Sequence, residues 1–382
     1  MPPHFTPEEF ATRQRAAAAA LRARGLDAIL LFAPESQFWL TGYDTFGFSM
    51  FQCLVLDADG ALALLTRTPD LRQARFTSVL REDQIHVYGD AQGLDPAQDL
   101  AALLGRLGLR GGRLGYEGRT PGLTEASGRM LHAALPGLVE ASDLIPPLRR
   151  LKSPAEIALH RRAAELADDA LEAGLAETRP GAFEGDIHAA MQGAVLRGGG
   201  EPAANETILG SGPGALMCRS YAGRRHLGAQ DQLTLEWAGS YHRHHAAMMR
   251  TVPMGPVTAQ HRRMHAASEE ALEACEAAMR PGRPMAEVYE AHAGVLDAHG
   301  FGHARLKACG YAMGAVFAPI WVDFPMFYAN NPLEMQESQV FFLHMILMDD
   351  ATGLAMTLGH SVLLGAHGPE RLSRHGTGLI AC

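Results

Sequence analysis

The sequence has few cysteines, and none of them forms a recognisable disulfide or metal-binding pattern. The five cysteines lie at positions 53, 218, 275, 309 and 382, with no Cys-X-X-Cys pair among them. This scatter excludes a disulfide framework and a cysteine-rich zinc module. We therefore expect reduced thiols in a protein of the cytosol.

Long hydrophobic runs and an excess of basic residues are also absent. No apolar stretch reaches the roughly 18 residues that a membrane helix needs. Charged residues interrupt the N-terminal stretch "MPPHFTPEEFATRQRAAAAALRARGLD", unlike the apolar core of a signal peptide. The formal net charge is −9, and nucleic-acid binding needs a basic face. We expect a cytoplasmic protein that binds neither nucleic acid nor membrane.

The first part of the chain alternates between helical and strand patterns. Residues 7–24 have the pattern of a capped helix, 26–33 that of a buried strand, and 94–107 that of a second helix. Asp59-Gly60 between two apolar runs predicts a hairpin. This alternation predicts an α/β domain.

A break in the pattern near residue 148 predicts a domain boundary. The Pro146-Pro147 pair is expected to interrupt regular structure. Ser153 then opens a long helix, because Glu156 stands three residues later as in a capping box. The predicted domains are 1–148 and 149–382.

The second domain contains an internal echo. "RPGAFEGDIHAAMQGAVLRGGG" begins at Arg179 and "RPGRPMAEVYEAHAGVLDAHGFG" begins at Arg280. In both, Arg-Pro-Gly follows one helix and precedes another, and strand-like segments come next. Pro-Gly is common at helix ends, but the repeated order favours a duplication. Two related halves would place a site between them.

The stretch "LTLEWAGSYHRHHAAMMRTVPMG", 233–255, concentrates polar residues in a strand pattern. His242 and His244 are expected to lie exposed in or beside a hairpin turn. His245 and Ala247 are two apart and share a face of the strand. Glu236 reaches the same pocket from the facing strand, and burying it without a partner would be costly. The pattern indicates a pocket with at least one carboxylate and one imidazole.

Several motifs together resemble the pita-bread family of creatinase, ectoine hydrolase, prolidase and aminopeptidase P. They are "LTGYD" at 40–44, "LRRLKSPAEI" at 148–157, "LGSGPGAL" at 209–216, "LEWAGSYHRHHAAMMRT" at 235–251 and the Arg-Pro-Gly echoes. The resemblance implies an α/β, ribonuclease-H-like N-terminal domain of the creatinase type. It also implies an α+β pita-bread C-terminal domain with an internal pseudo-twofold.

Metallopeptidases of that family bind two metal ions through two Asp, one His and two Glu. By resemblance, these positions fall on Glu236, Ala247, Tyr311, His344 and either His360 or the neighbouring Gly359. Two adjacent divalent ions need several carboxylates to neutralise them. The resemblance therefore points to the metal-independent branch, with no metal cofactor.

The groups that remain could hydrolyse a small C–N bond. We predict catalytic roles for Glu236, His245, His344 and His360, because imidazoles transfer protons near neutrality. Predicted substrate contacts are Tyr311, Arg250, Trp237 and Trp321, the last in the aromatic loop "WVDFPMFYANNP". Core packing remains an alternative for His344, His360 and Tyr311, and a structural ion pair for Arg250.

The N-terminal domain could also contribute to the site. In relatives of this kind it lies over the pocket of the neighbouring subunit, so the resemblance implies a homodimer. Tyr43, Asp44 and Phe46 follow the strand-like "FWL" and are candidate substrate contacts across the dimer. Aromatic rings beside an acid suit a cationic or zwitterionic ligand.

The lead hypothesis is a metal-independent hydrolase of a small zwitterionic, amide or amidine compound, resembling creatinase or ectoine hydrolase. In one alternative, Glu236, His245, His344 and His360 hold a single zinc ion for Xaa-Pro peptidase or lyase chemistry. In another, the chain is a non-catalytic small-molecule-binding protein on an enzyme scaffold.

Overall fold

A computed structural model describes residues 3–221 and 223–382 of the chain. The chain divides into two compact units at the Arg149–Arg150 bond. Each unit has its own sheet and its own hydrophobic core.

The first unit is a mixed α/β layer structure. Its sheet has the strand order β4-β3-β2-β1-β5-β6. The strands are β1 (Ala28–Leu31), β2 (Cys53–Asp57), β3 (Leu62–Arg67), β4 (Ile85–Tyr88), β5 (Leu114–Tyr116) and β6 (Val139–Glu140). The helices are α1 (Pro7–Ala23), α2 (Pro34–Thr41), α3 (Leu71–Thr77), α4 (Pro96–Arg106) and α5 (Glu125–Ala134), followed by α6 (Pro146–Arg150) at the unit boundary.

Local sequence signals account for these elements. The Thr6 side chain accepts a hydrogen bond from the Glu9 N–H and caps α1. At the hairpin between β2 and β3, Gly60 has a φ of 94°, which a side chain would disfavour. The expectation that Pro146-Pro147 breaks structure was wrong. The pair begins α6 instead, because proline is tolerated in the first turn of a helix.

The second unit is built on one long sheet with the order β11-β10-β12-β13-β9-β8-β7, and β14 pairs with β13. Its helices are α7 (Pro154–Glu177), α8 (Glu184–Arg197), α9 (Ala259–Ala278) and α10 (Met285–Ala298). Its strands are β7 (Ile208–Ser211), β8 (Asp231–Tyr241), β9 (His244–Met254), β10 (Ala308–Ala312), β11 (Asp323–Tyr328), β12 (Val340–Asp349), β13 (Leu354–Gly365) and β14 (Gly368–Arg371).

The internal echo corresponds to two similar halves of this unit. Helices α7 and α8 precede the β8–β9 hairpin, and α9 and α10 precede the β12–β13 hairpin. The halves meet where β9 pairs with β13. The predicted fold class, an α/β creatinase-type domain followed by a pita-bread domain, is confirmed.

The helices cover one face of the long sheet and leave the other available for a site. Helix α7 packs on β8 and β9, while α9 packs on β12 and β13. Paired residues of antiparallel strands project to the same face, and neighbours along a strand alternate. A residue's register therefore decides whether it faces the helices or the opposite side, which we call the cleft face.

No helix among the described residues is long and apolar enough to cross a membrane.

The contact between α7 and β8 depends on the absence of a side chain at Gly239. A Cβ there would lie 2.0 Å from the Ala163 carbonyl oxygen of α7. We predict that Gly239→Ala lowers the free energy of unfolding by about 2 kcal/mol or more, because backbone must move. Urea denaturation followed by circular dichroism measures this change.

Gly294→Ala is the matched control. Gly294 lies in α10, and no atom comes within 4 Å of a Cβ built there. This substitution should leave stability unchanged or raise it by up to about 1 kcal/mol, since alanine favours the helix. Equal effects of the two substitutions would contradict the packing described here.

Candidate active site

The register of the sheet brings one set of side chains together on the cleft face. Glu236 pairs with Met249, Met249 with Gly359, and Gly359 with His344. Tyr311 pairs with Phe342, which is two residues before His344 and on the same face. Positions from both halves of the unit therefore converge.

Three of these residues, Glu236, Tyr311 and His344, line a cavity of about 480 Å³. Its polar lining includes Glu236, Tyr311 and His344 from the strands and Arg219 and Lys307 from the loops. Its apolar lining includes Ile208, Leu306, Ile320, Trp321, Val322, Met326 and Ile346. The volume is within the range of small-molecule sites, which are mostly apolar with a few oriented polar groups.

A chain of hydrogen bonds orients the Glu236 carboxyl group. Asn205 accepts a bond of 2.9 Å from the backbone N–H of Trp321. The indole N–H of Trp321 donates to the Tyr311 hydroxyl oxygen at 2.8 Å. Because that oxygen accepts from Trp321, its own proton is directed to Glu236, with which Tyr311 is hydrogen-bonded.

The Glu236 carboxyl group has a pKa close to neutral pH. It is 8% exposed, and burial raises its pKa to about 7. The positive charge of Arg219 and the hydrogen bond from Tyr311 oppose this shift but do not cancel it. At neutral pH the group is therefore divided between its charged and neutral forms.

The His344 imidazole is neutral at the same pH. Burial lowers its pKa to about 3, with a smaller effect in the same direction from the positive charge of Arg219. Its ring lies 5.6 Å from the Tyr311 ring between centroids, and its Nδ1 is buried without a hydrogen-bond partner among the described residues. His344 can therefore form hydrogen bonds in the cavity, but at neutral pH it carries no charge.

Three functional candidates were missed by sequence reasoning. Arg219 follows the "LGSGPGAL" motif closely and could have been noticed there. Asn205 lies in the loop just before the same motif, and Lys307 lies in a loop shortly after the second Arg-Pro-Gly segment, but only the fold shows that both reach the cavity. Loop residues have no periodicity that would reveal which way they face.

His245 shares the cleft face with Ala247 but does not line the cavity. Its Nδ1 donates to the Arg243 carbonyl oxygen at 2.8 Å, and its Nε2 accepts from the Ala204 N–H at 2.9 Å. Burial lowers its pKa to about 3. With both nitrogens bound to the backbone, the geometry does not support the predicted proton transfer.

The predicted catalytic role of His360 is not supported either. Position 359, one residue earlier, is the one that faces the cleft. His360 lies on the helix face, where its Nε2 is 2.7 Å from Glu276 Oε1 of α9. The same carboxylate pairs with Arg371, so these groups tie β13 and β14 to α9.

Trp237 and Arg250 also lie on the helix face, which contradicts their predicted substrate contacts. The Trp237 indole donates to the Ala167 carbonyl oxygen of α7 at 2.9 Å within the core. The Arg250 guanidinium donates to the carbonyl oxygens of Met249 and Gly359, both at 2.7 Å. Both residues stabilise the sheet.

The turn of the β8–β9 hairpin differs in part from expectation. His242 and Arg243 both have positive φ, as a two-residue hairpin turn with the sheet's twist requires. His244 was expected to be exposed but is fully buried. Its ring centroid lies 5.0 Å from that of His160 on α7. Alternation places it on the helix face, so it is not a surface residue.

The predicted N-terminal contacts differ in exposure. Tyr43 lies in the core of the first unit, where its hydroxyl hydrogen-bonds with Thr66 at 3.3 Å. Asp44 is also buried, and its backbone N–H donates to Thr77. Phe46 is 85% exposed. Of the three side chains, only that of Phe46 projects into solvent.

The cleft does not have the donor set of a dinuclear metal centre. Ala247 is apolar, and a Cβ at Gly359 would lie 2.5 Å from the Leu343 carbonyl oxygen. Burial raises the pKa of Tyr311 well above its usual value, which keeps the phenol neutral. No group of three or more His, Cys, Asp or Glu side chains in 3–221 and 223–382 could hold a metal ion.

The alternative single zinc site does not assemble either. Of its four predicted ligands, Glu236 and His344 line the cavity. His245 is bound to backbone groups, and His360 contacts α9 on the other face. Two side chains alone do not make the usual tetrahedral protein site for zinc.

Two family models cover most of the chain. Residues 13–151 match the creatinase/prolidase N-terminal domain. Residues 158–366 match metallopeptidase family M24.

Relatives match along nearly the full length. The ectoine hydrolase of Halomonas elongata is 27% identical over 97% of this chain and 96% of its own. A protein of Sinorhizobium fredii described as an uncharacterized hydrolase/peptidase is 27% identical over 96% of both.

Solved structures share the fold. A prolidase from Thermococcus sibiricus aligns with a TM-score of 0.87 at 18% identity, covering 98% of this chain and 99% of that one. The dipeptidase PepE of Mycobacterium ulcerans aligns with a TM-score of 0.85 at 23% identity, covering 99% of both. The chain therefore belongs to metallopeptidase family M24, with a creatinase/prolidase N-terminal domain ahead of the hydrolase domain.

Proposed function

We propose that this protein is a metal-independent hydrolase of a C–N bond in a small nitrogenous compound, in the manner suggested by its ectoine hydrolase relative. The observation that supports the proposal most is the Glu236 carboxyl group. It lines the cavity, is held by Tyr311, and has a pKa raised to about 7. A general base or acid works best when its pKa is near the operating pH.

The proposed reaction uses Glu236 twice. In its ionised form it accepts a proton from water while the water oxygen attacks the carbon of the C–N bond. It then gives that proton to the departing nitrogen as the C–N bond breaks. The products are a carboxylic acid and an amine from an amide, or an amide and an amine from an amidine, and Glu236 returns to its ionised form.

The neighbouring groups orient these steps. The Tyr311 hydroxyl fixes one orientation of the Glu236 carboxyl group. The Trp321 indole N–H in turn donates a hydrogen bond to the Tyr311 hydroxyl. His344 contributes a neutral hydrogen-bonding group, because its pKa of about 3 makes it a weak base. Proton transfer is thus assigned to the carboxyl group and not to the imidazoles.

Homodimerisation, with the N-terminal domain over the neighbour's cleft, stays a prediction. The exposed ring of Phe46 is the feature that supports it. Location in the cytoplasm stays a prediction as well.

The proposed chemistry predicts resistance to chelators. After exhaustive dialysis against EDTA, the protein should release an amine from N-acetylated amino acids, or open the ectoine ring to release its amino group, at an unchanged rate measured by mass spectrometry. The rate should not change because the side chains of the cleft, within the described residues, cannot neutralise a pair of divalent metal ions. Activity that is lost with EDTA and restored by Mn²⁺ or Zn²⁺ would contradict the proposal, as would no release from any of these compounds.

Glu236→Gln should lower kcat by about 100-fold or more, because the amide cannot accept and return the proton. The variant should remain folded, since glutamine has nearly the same shape and removes the cost of a buried charge. The matched control is Glu337→Gln, at an exposed carboxyl group outside the cavity. A kcat equal to that of the control would exclude Glu236 as the base.

Tyr311→Phe should shift the pH profile. The ionised carboxylate is the active base, so kcat/KM falls as pH drops through the pKa of Glu236. The hydrogen bond from Tyr311 lowers that pKa, so its removal should move the midpoint to higher pH. Tyr43→Phe also removes a buried hydroxyl but lies in the other unit, and should leave the midpoint in place. A midpoint unchanged in Tyr311→Phe would refute the assignment.

A further inference from the structure

The cavity has two positively charged side chains, which would repel a purely cationic substrate. Arg219 and Lys307 both line it, and both are exposed at their positions. Glu236 is the one acidic residue in the described lining. Even when fully ionised, Glu236 offsets the charge of only one of the two cations. The cavity therefore has a positive balance in a chain whose formal net charge is −9.

Among the described residues, neither Arg219 nor Lys307 has an ion-pair partner. Within 3–221 and 223–382, no carboxylate lies within salt-bridge distance of Arg219 or Lys307. The nearby Arg305 differs, because it pairs with Asp297 at 2.7 Å. Two unpaired cations on one cavity would attract an anion and would be paired by it.

Arg219 also acts directly on the groups of the proposed reaction. Its charge influences Glu236, Tyr311 and His344. Arg219 and Glu236 line the same cavity of about 480 Å³, so one small molecule bound there can contact both the guanidinium and the carboxyl group. A guanidinium binds a carboxylate through two parallel hydrogen bonds, which also fixes the orientation of the molecule.

The remainder of the lining has a different character. Val322, Ile346 and Leu306 present apolar side chains, and the Trp321 ring adds an aromatic surface. A volume of about 480 Å³ leaves space for an apolar group beside the reacting bond. The lining thus matches a molecule with one charged end and one apolar part.

We infer that the substrate is a small amide with an anionic carboxylate, of the N-acyl amino acid class, whose carboxylate is held by Arg219 and Lys307. Its apolar part packs on Val322 and Ile346, and its C–N bond faces Glu236. This inference rests on the proposed function, but it concerns recognition alone. It can therefore be tested without turnover.

The test compares N-acetyl-L-leucine with N-acetyl-L-leucinamide, which lacks the carboxylate. Isothermal titration calorimetry is carried out on Glu236→Gln protein, so that no hydrolysis occurs. We expect the acid to bind about 10-fold more tightly than the amide, or better, because a charge-assisted pair forms with it alone. Arg219→Gln should abolish this preference and Lys307→Gln should reduce it.

Arg224→Gln is the matched control. Arg224 is exposed in the same loop and does not line the cavity, so this variant should keep the full preference for the acid. Equal affinity for acid and amide, or binding of neither, would overturn the inference. So would a preference that survives in Arg219→Gln protein. If the acid binds as expected but is never hydrolysed by the unsubstituted protein, the proposed function fails and the inference on recognition stands.

Discussion

The account depends on the desolvation of one carboxyl group. Glu236 is buried in a mostly apolar cleft, and water that would favour its charged form is excluded. Its pKa therefore rises to about 7, and the cleft has little negative charge. That shortage disfavours paired divalent cations, and the raised pKa suits proton transfer at neutral pH. The absence of further carboxylates from the described lining accounts for the proposed loss of the metals, and the desolvation of Glu236 accounts for the proposed gain of a carboxyl base.

The same desolvation has the opposite effect on the imidazoles. Burial lowers the pKa of His344 and of His245 to about 3, because the charged form of an imidazole is a cation. His344 and His245 are therefore neutral at neutral pH. Arg219 and Lys307 carry the positive charge of the cavity. In the family's metallopeptidases two metal ions supply the positive charge of the site. In this chain we assign the recognition of a negatively charged substrate group to cationic side chains.

Helix caps and turn residues are local signals that predicted the α/β first domain, and the repeated Arg-Pro-Gly predicted the two halves of the second, while the pita-bread fold class was implied by the family resemblance. The site was harder to predict. Alternation correctly placed His245 on the same face as Ala247, but it could not show that Ala204, about 40 residues away in sequence, binds the ring. At His360 the register was uncertain by one residue, and one residue reverses the face. The roles of Trp237 and Arg250 depended on which face α7 and α9 cover, which is a tertiary fact.

The central claim is that this cleft cannot hold a pair of divalent cations. Its most direct test is anomalous diffraction from crystals soaked in Mn²⁺ and, separately, in Zn²⁺. The account predicts no anomalous peak beside Glu236, Tyr311 and His344 with either ion. Two strong neighbouring peaks at that position would contradict it.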